Sequence, residues 1–174
     1  MQQTKWLDRK FHTVDDNGLL PSIIERLIGT SARIEEKTKG IEDNLLKLKI
    51  DGKWSVKEEI GHLSDLEPLG LGRIHDFENN LPELRAADMS NQKTNTANHN
   101  STEIKELVNH FRKQRQKFVN KLKTLNDEQC QKKSLHPRLK INMKIVDLAH
   151  FICEHDDHHL ARMTAILSNF KIMK

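Results

Sequence analysis

Ten histidines stand among 174 residues, and five of them fall between His136 and His159. Two of these, His155 and His159, are four positions apart, a spacing that projects both imidazoles from one face of a helix about one turn from each other. That is how two histidines bind one metal ion. In a chain this rich in histidine, chance alone supplies about 0.6 such pairs, the risk attached to any short motif. Position adds weight. Both lie within about 60° of the centre of an apolar stripe formed by Leu148, Ile152, Met163 and Ile166. Imidazoles aimed at a core need partners there, and either a shared metal ion or ordinary hydrogen bonds would serve.

Three protein ligands would leave an open coordination position, as in catalytic zinc sites. The third has to come from another helix, and His62 is the candidate. It shares a side with Leu66 and Leu69 at the edge of an apolar stripe, where periodicity alone reads it as a boundary residue. His75 is too far along the same helix to join it, and His158 lies about 120° from the stripe centre, a peripheral placement. Glu59 and Asp65 each stand three residues from His62, and Asp156 falls near the middle of the last stripe. These carboxylates are candidate general bases or supports for an imidazole. Ordinary solvation, or for Asp156 an ion pair with Arg115, is the competing assignment. His136 and Arg138 could line the mouth of a site and recognise an anionic substrate, or simply belong to a polar surface loop.

The elements that must position these groups are helical. Gly and Pro together number only 11, and tyrosine is absent. A first helix opens at Pro21, carries Ile23, Ile24, Leu27, Ile28 and Ile34, and stops at Gly40, with a short helical continuation over 41–48. Ser55-Val56-Lys57-Glu58 is a capping box that starts a second helix bearing Ile60, Leu63, Leu66, Leu69, Ile74 and Phe77. Pro68 predicts a kink or a break within it. The Asn/Thr-rich stretch 79–100 is a connection long enough that it should cross the bundle or shape a site. A third helix follows over 101–125, with Arg115 on its apolar stripe, and a fourth over 143–170. Strand patterns are essentially absent. The expected fold is an all-α four-helix bundle with a long connection between helices 2 and 3, forming a single domain over 1–174.

Composition narrows the function classes. Charged residues make up 31% of the chain and the formal net charge is only +4, so no strong single-sign field covers the surface. The cations Arg112, Lys113, Arg115, Lys117, Lys121 and Lys123 alternate with apolar positions and lack exposed aromatics, so they read as a solvated helix face and not as a nucleic-acid surface. No apolar run approaches a membrane span, and the polar N-terminus is not a signal peptide. Cys130 and Cys153 have no metal-site or disulfide-ladder spacing. A soluble cytoplasmic protein acting on a small molecule is the expectation, and a homodimer through the outer faces of the bundle is compatible with it.

Trp54-Ser55-Val56-Lys57-Glu58-Glu59-Ile60-Gly61-His62-Leu63, followed some ninety residues later by Glu154-His155-Asp156-Asp157-His158-His159-Leu160, resembles the DinB-like (DinB/YfiT) superfamily of four-helix-bundle proteins. The resemblance extends over nearly the whole chain. It implies a divalent metal held by His62, His155 and His159. By donor chemistry zinc or nickel suits an all-nitrogen set best, with iron and manganese compatible. It also implies a metal-dependent hydrolase, or alternatively a low-molecular-weight-thiol S-transferase of the bacillithiol-transferase type or a non-enzymatic metal-binding bundle. Leu160-Ala161-Arg162 stands where many members carry Gly-Gln, an arrangement closer to the YfiT type. No residues matching a thiol-cofactor pocket are identified.

Overall fold

A computed structural model describes the backbone of residues 3–172 and the side chains of residues 3–169. Four long helices carry the fold: α1 (Leu20–Thr38), α3 (Val56–Glu78), α5 (Ile104–Lys123) and α7 (Ile145–Ile172). Short helices α2 (Asp43–Leu46), α4 (Gln92–Thr96) and α6 (Asp127–Gln131) lie in the connections. A two-stranded antiparallel hairpin, β1 (Ser134–Leu135) with β2 (Asn142–Met143), precedes α7. The long helices form where the 3.6-residue periodicity puts them. The hairpin departs from the expectation of no strands, because two residues per strand are too few to show an alternating pattern.

The start of α3 is fixed chemically. Ser55 Oγ accepts the Glu58 amide at 3.2 Å, and the Glu58 carboxylate accepts the Ser55 amide at 2.9 Å. Pro68, expected to kink or break this helix, leaves it unbroken in its secondary structure. Its cost in an interior turn is about 3 kcal/mol. Burial of Ile60 and Leu63 before it and of Ile74 and Phe77 after it holds the helix together across the missing amide.

Each long helix packs on two others, in the cyclic order α1, α5, α3, α7. Consecutive helices α1 and α3 therefore stand across a diagonal, as do α5 and α7. This connectivity sets α3 directly beside α7, and so brings His62 within reach of a helix that begins some eighty residues later.

Two apolar clusters fill the interior. One contains Leu27, Ile74, Phe118 and Ala149, the other Ile34, Leu63, Phe111 and Leu160. Between them each long helix contributes one polar side chain: Thr30, Glu67, Arg115 and Asp156. Arg115 donates from Nε and Nη2 to Glu67 Oε1 at 2.9 and 2.6 Å, and from Nη1 and Nη2 to the two Asp156 oxygens at 2.5 and 2.9 Å. Thr30 Oγ1 donates to Asp156 Oδ2 at 2.7 Å. Of the two placements the sequence leaves open to Arg115, the apolar stripe and the solvated basic face, the structure shows the first. Its interior placement follows the apolar stripe between Phe111 and Phe118.

Candidate metal centre

His62 projects from the first half of α3, and His155 and His159 from the adjoining face of α7. One ring nitrogen from each lies within 4.8 Å of the corresponding atom of the other two. His62 and His159 are buried and His155 is half-buried. His62, read by periodicity as a boundary residue, is 4% exposed. The edge of the α3 stripe is the seam with α7, where the His62 ring faces those of His155 and His159.

Two of the imidazoles have their tautomers set by neighbours. Nδ1 of His159 lies 2.5 Å from Glu59 Oε2. Above about pH 7, where Glu59 is ionised, this carboxylate only accepts, so the proton belongs on Nδ1 and the Nε2 lone pair faces the cluster. Nδ1 of His62 lies 3.1 Å from Thr94 Oγ1, and the single proton of that hydroxyl is donated to Asp65 Oδ2 at 3.0 Å. Thr94 must therefore accept from His62, which again leaves Nε2 unprotonated. His99 Nε2 donates to the same Asp65 oxygen at 2.9 Å, completing a chain His62–Thr94–Asp65–His99.

The remaining geometry suits a cation. Nε2 of His155 and Nε2 of His159 face each other at 3.1 Å. Two lone pairs so placed repel unless a proton or a metal ion lies between them. Burial drives His62 down to about 4 and holds His155 and His159 well below the ordinary 6.5, so all three are neutral at pH 7, the state that ligates. Burial pushes the Glu59 carboxyl up to about 7, against the opposing charge of Arg162, whose Nε is 2.7 Å from Oε1. Asp65 is lowered despite its burial, by the hydrogen bonds from His99 and Thr94. The donor set fits a divalent metal with nitrogen preference.

The triad opens into a cleft of about 640 Å³ whose walls include Trp6, Trp54, Leu66, Leu69 and Phe151. Trp54 packs on His62 with ring centroids 4.6 Å apart, and Trp6 meets His155 edge-on at 4.9 Å. Neither Glu59 nor Asp65 is among the residues lining the cleft; both stand behind an imidazole. Asp156 lines it, with both oxygens engaged by Arg115 and Thr30. His136 and Arg138 also line it, at the tip of the β1–β2 hairpin. His75 pairs with Glu78 at 2.9 Å, away from the triad. His158, expected at the periphery, is buried. The N-terminal segment covers it, with the Gln3 amide 3.0 Å from its Nδ1 and Trp6 5.6 Å from its ring. Helical periodicity of α7 could not register that cover, because it comes from outside the four helices.

Thr94, His99, Trp6 and Glu67 escape a reading based on helical stripes. The first two belong to the Asn/Thr-rich connection. Their signal is its asparagines: Asn91 and Asn98 hold φ of 52° and 51° and initiate α4 and the 3₁₀ turn His99–Ser101.

A four-helix bundle with α3 set beside α7, and with three imidazoles converging at that seam that could hold a metal ion, defines the class of fold and site. The DinB superfamily matches residues 26–163, and the chain belongs to that family. Among solved structures, YfiT from Bacillus subtilis superposes with a TM-score of 0.78 at 18% identity, covering 94% of this chain and 95% of that one. YfiT is described as a probable metal-dependent hydrolase with an unusual four-helix bundle topology. No curated protein matches the chain.

Proposed function

We propose that this protein is a metal-dependent hydrolase of small molecules, with His62, His155 and His159 holding one divalent ion, zinc or nickel by donor chemistry. The observation that carries the reading is the convergence of three neutral imidazoles on one point at the wall of a large cleft. The description of YfiT supports it. An ion bound there by three protein ligands supplies a Lewis acid and the capacity to activate water near neutral pH.

The residues of the chain divide the remaining work. Glu59 and Thr94 hold the imidazoles of His159 and His62 in the ligating tautomer, so both are positioning residues, as are Asp65 and His99 behind Thr94. Trp6 and Trp54 cover the flanks of the triad and give a substrate an apolar surface to displace water against. Asp156 serves the buried Arg115 layer. Glu67, whose Oε2 makes no bond to Arg115, is the cleft carboxylate placed to exchange a proton with a substrate.

The test is hydrolysis of a panel of esters and amides by protein stripped of metal and then reloaded with zinc or nickel. Activity absent from the stripped protein and restored on reloading is the expected result. Reloaded protein that hydrolyses nothing, or that conjugates a monothiol to an electrophile while leaving the panel intact, would overturn the proposal.

A further inference from the structure

The end of the cleft formed by the β1–β2 hairpin holds an arrangement that the imidazole triad does not explain. His136 is 2% exposed. Its Nδ1 accepts the backbone amides of Arg138 and Leu139 at 3.3 and 3.2 Å, which places its proton on Nε2 at the opposite edge of the ring. That Nε2 is buried without a partner, and so is Nη2 of Arg138. A third donor stands beside them. Arg73 of α3 is 4% exposed, and its Nε bonds the Arg85 carbonyl at 3.1 Å. The nearest acid, Asp76, has both oxygens taken by Arg85. Among the described residues neither Arg73 nor Arg138 has an ion-pair partner, and all three side chains line the cleft. Unpaired buried donors are costly, and more so when charged. Here two guanidiniums and an imidazole N–H share one small region, and the one acid whose charge reaches Arg73, Asp76, is bonded to Arg85.

The hairpin is well anchored. Leu135 donates to Pro82 O at 2.9 Å and accepts from Leu84 at 3.0 Å, tying β1 to the segment after α3. Burial and the charges of Arg73 and Arg138 keep His136 neutral, near 3, so its Nε2–H is a fixed donor at every physiological pH.

We propose that Arg73, His136 and Arg138 form an oxyanion subsite that binds a carboxylate or phosphate group of the substrate, on the hairpin wall of the same cleft and separated from the imidazole triad by Trp6 and Phe151. This rests on the hydrolase reading for the word substrate and specifies its class: an acidic small molecule with an apolar part that packs on Trp6 and Phe151. Guanidinium pairs favour carboxylate and phosphate through paired, charge-assisted hydrogen bonds.

The subsite is tested without metal. Protein freed of metal, with the chelator dialysed away, is titrated calorimetrically with benzoate, phenyl phosphate and the neutral benzyl alcohol. At least one anion should bind about tenfold or more tightly than the alcohol, and the preferred anion tells carboxylate from phosphate. Arg138→Gln, confirmed as helical by circular dichroism, should abolish most of that preference. Lys123→Gln, an equal loss of charge on the exposed face of α5, should leave it intact. Equal binding of all three compounds would overturn the proposal, as would equal effects of the two substitutions. Anion preference in a protein that neither retains metal nor hydrolyses anything would sink the hydrolase reading while preserving the subsite. A metal-dependent hydrolase without anion preference would do the reverse.

Discussion

Two imidazoles of the triad direct their Nδ1 protons to different neighbours, Glu59 for His159 and Thr94 for His62. The consequence is shared: each presents an unprotonated Nε2 to the same point. Supports of this kind commonly change metal affinity by about 10–100-fold when removed. Asp65→Asn keeps the shape of the side chain but weakens the anchor of Thr94. Metal affinity measured by competition with a chromophoric chelator should fall within that range, with the helical signal unchanged; unaltered affinity would remove Asp65 from the positioning chain. At this scale the pair His155 and His159 was legible from its spacing, because a helix fixes what i and i+4 can share. His62 was not settled by periodicity. A residue at a stripe edge has no assigned partner until the packing of helices is known, and the resemblance to the DinB-like superfamily supplied what spacing could not. Thr94 and His99 act through loop geometry, which leaves no periodic trace.

Gly61 shows how an element makes room for the site. A Cβ at this position would lie 2.2 Å from the ring of His99, which packs directly on the backbone of α3 to reach Asp65. Gly61→Ala improves helix propensity by up to about 1 kcal/mol yet displaces His99. Its expected outcome is weaker metal binding without loss of helix content, read by the same chelator competition. Affinity equal to wild type would show that the His99 contact is dispensable. The four long helices were readable because apolar residues recur every three to four positions across 19 to 28 residues. The connection between α3 and α5 and the β1–β2 hairpin carry only short elements, held by turns at asparagine and by bridges to distant backbone. Pro68 illustrates the converse: a strong local breaker signal gave way to packing on both sides of it.

Across the whole molecule, one polar residue from each long helix meets at the Arg115 layer, between two apolar clusters. Such a layer favours one axial alignment of the helices, since sliding a helix by a turn would bury an unpaired charge, a loss on the order of 3–5 kcal/mol. The alignment it favours is the one that puts His62 level with His155 and His159. Acid stability is a second property of the molecule as a whole. Burial lowers His62 and His158 to about 4 and His136 to about 3, and holds His155 and His159 well below their ordinary value. The unfolded chain takes up protons near 6.5 that the folded chain refuses, so the stability these groups permit above that pH is lost as pH falls from 6.5 towards 4. Glu59, raised to about 7, works in the opposite sense. It binds a proton in the folded state between about 4.5 and 7, and so offsets one histidine of five. Urea midpoints of the metal-free protein should therefore decline between pH 7 and pH 5. A flat or rising midpoint would contradict the burial of neutral imidazoles.

The joint ligation of one ion by imidazoles from α3 and α7 is tested most directly by elemental analysis. The proteins compared are wild type, His62→Ala, His155→Ala and His159→Ala, each loaded with zinc and then desalted. About one ion per chain in the wild type, with comparable loss in all three variants, is the expected result. Full retention of metal by His62→Ala would contradict it, because the ion would then be held without the helix that the diagonal topology brings to the site.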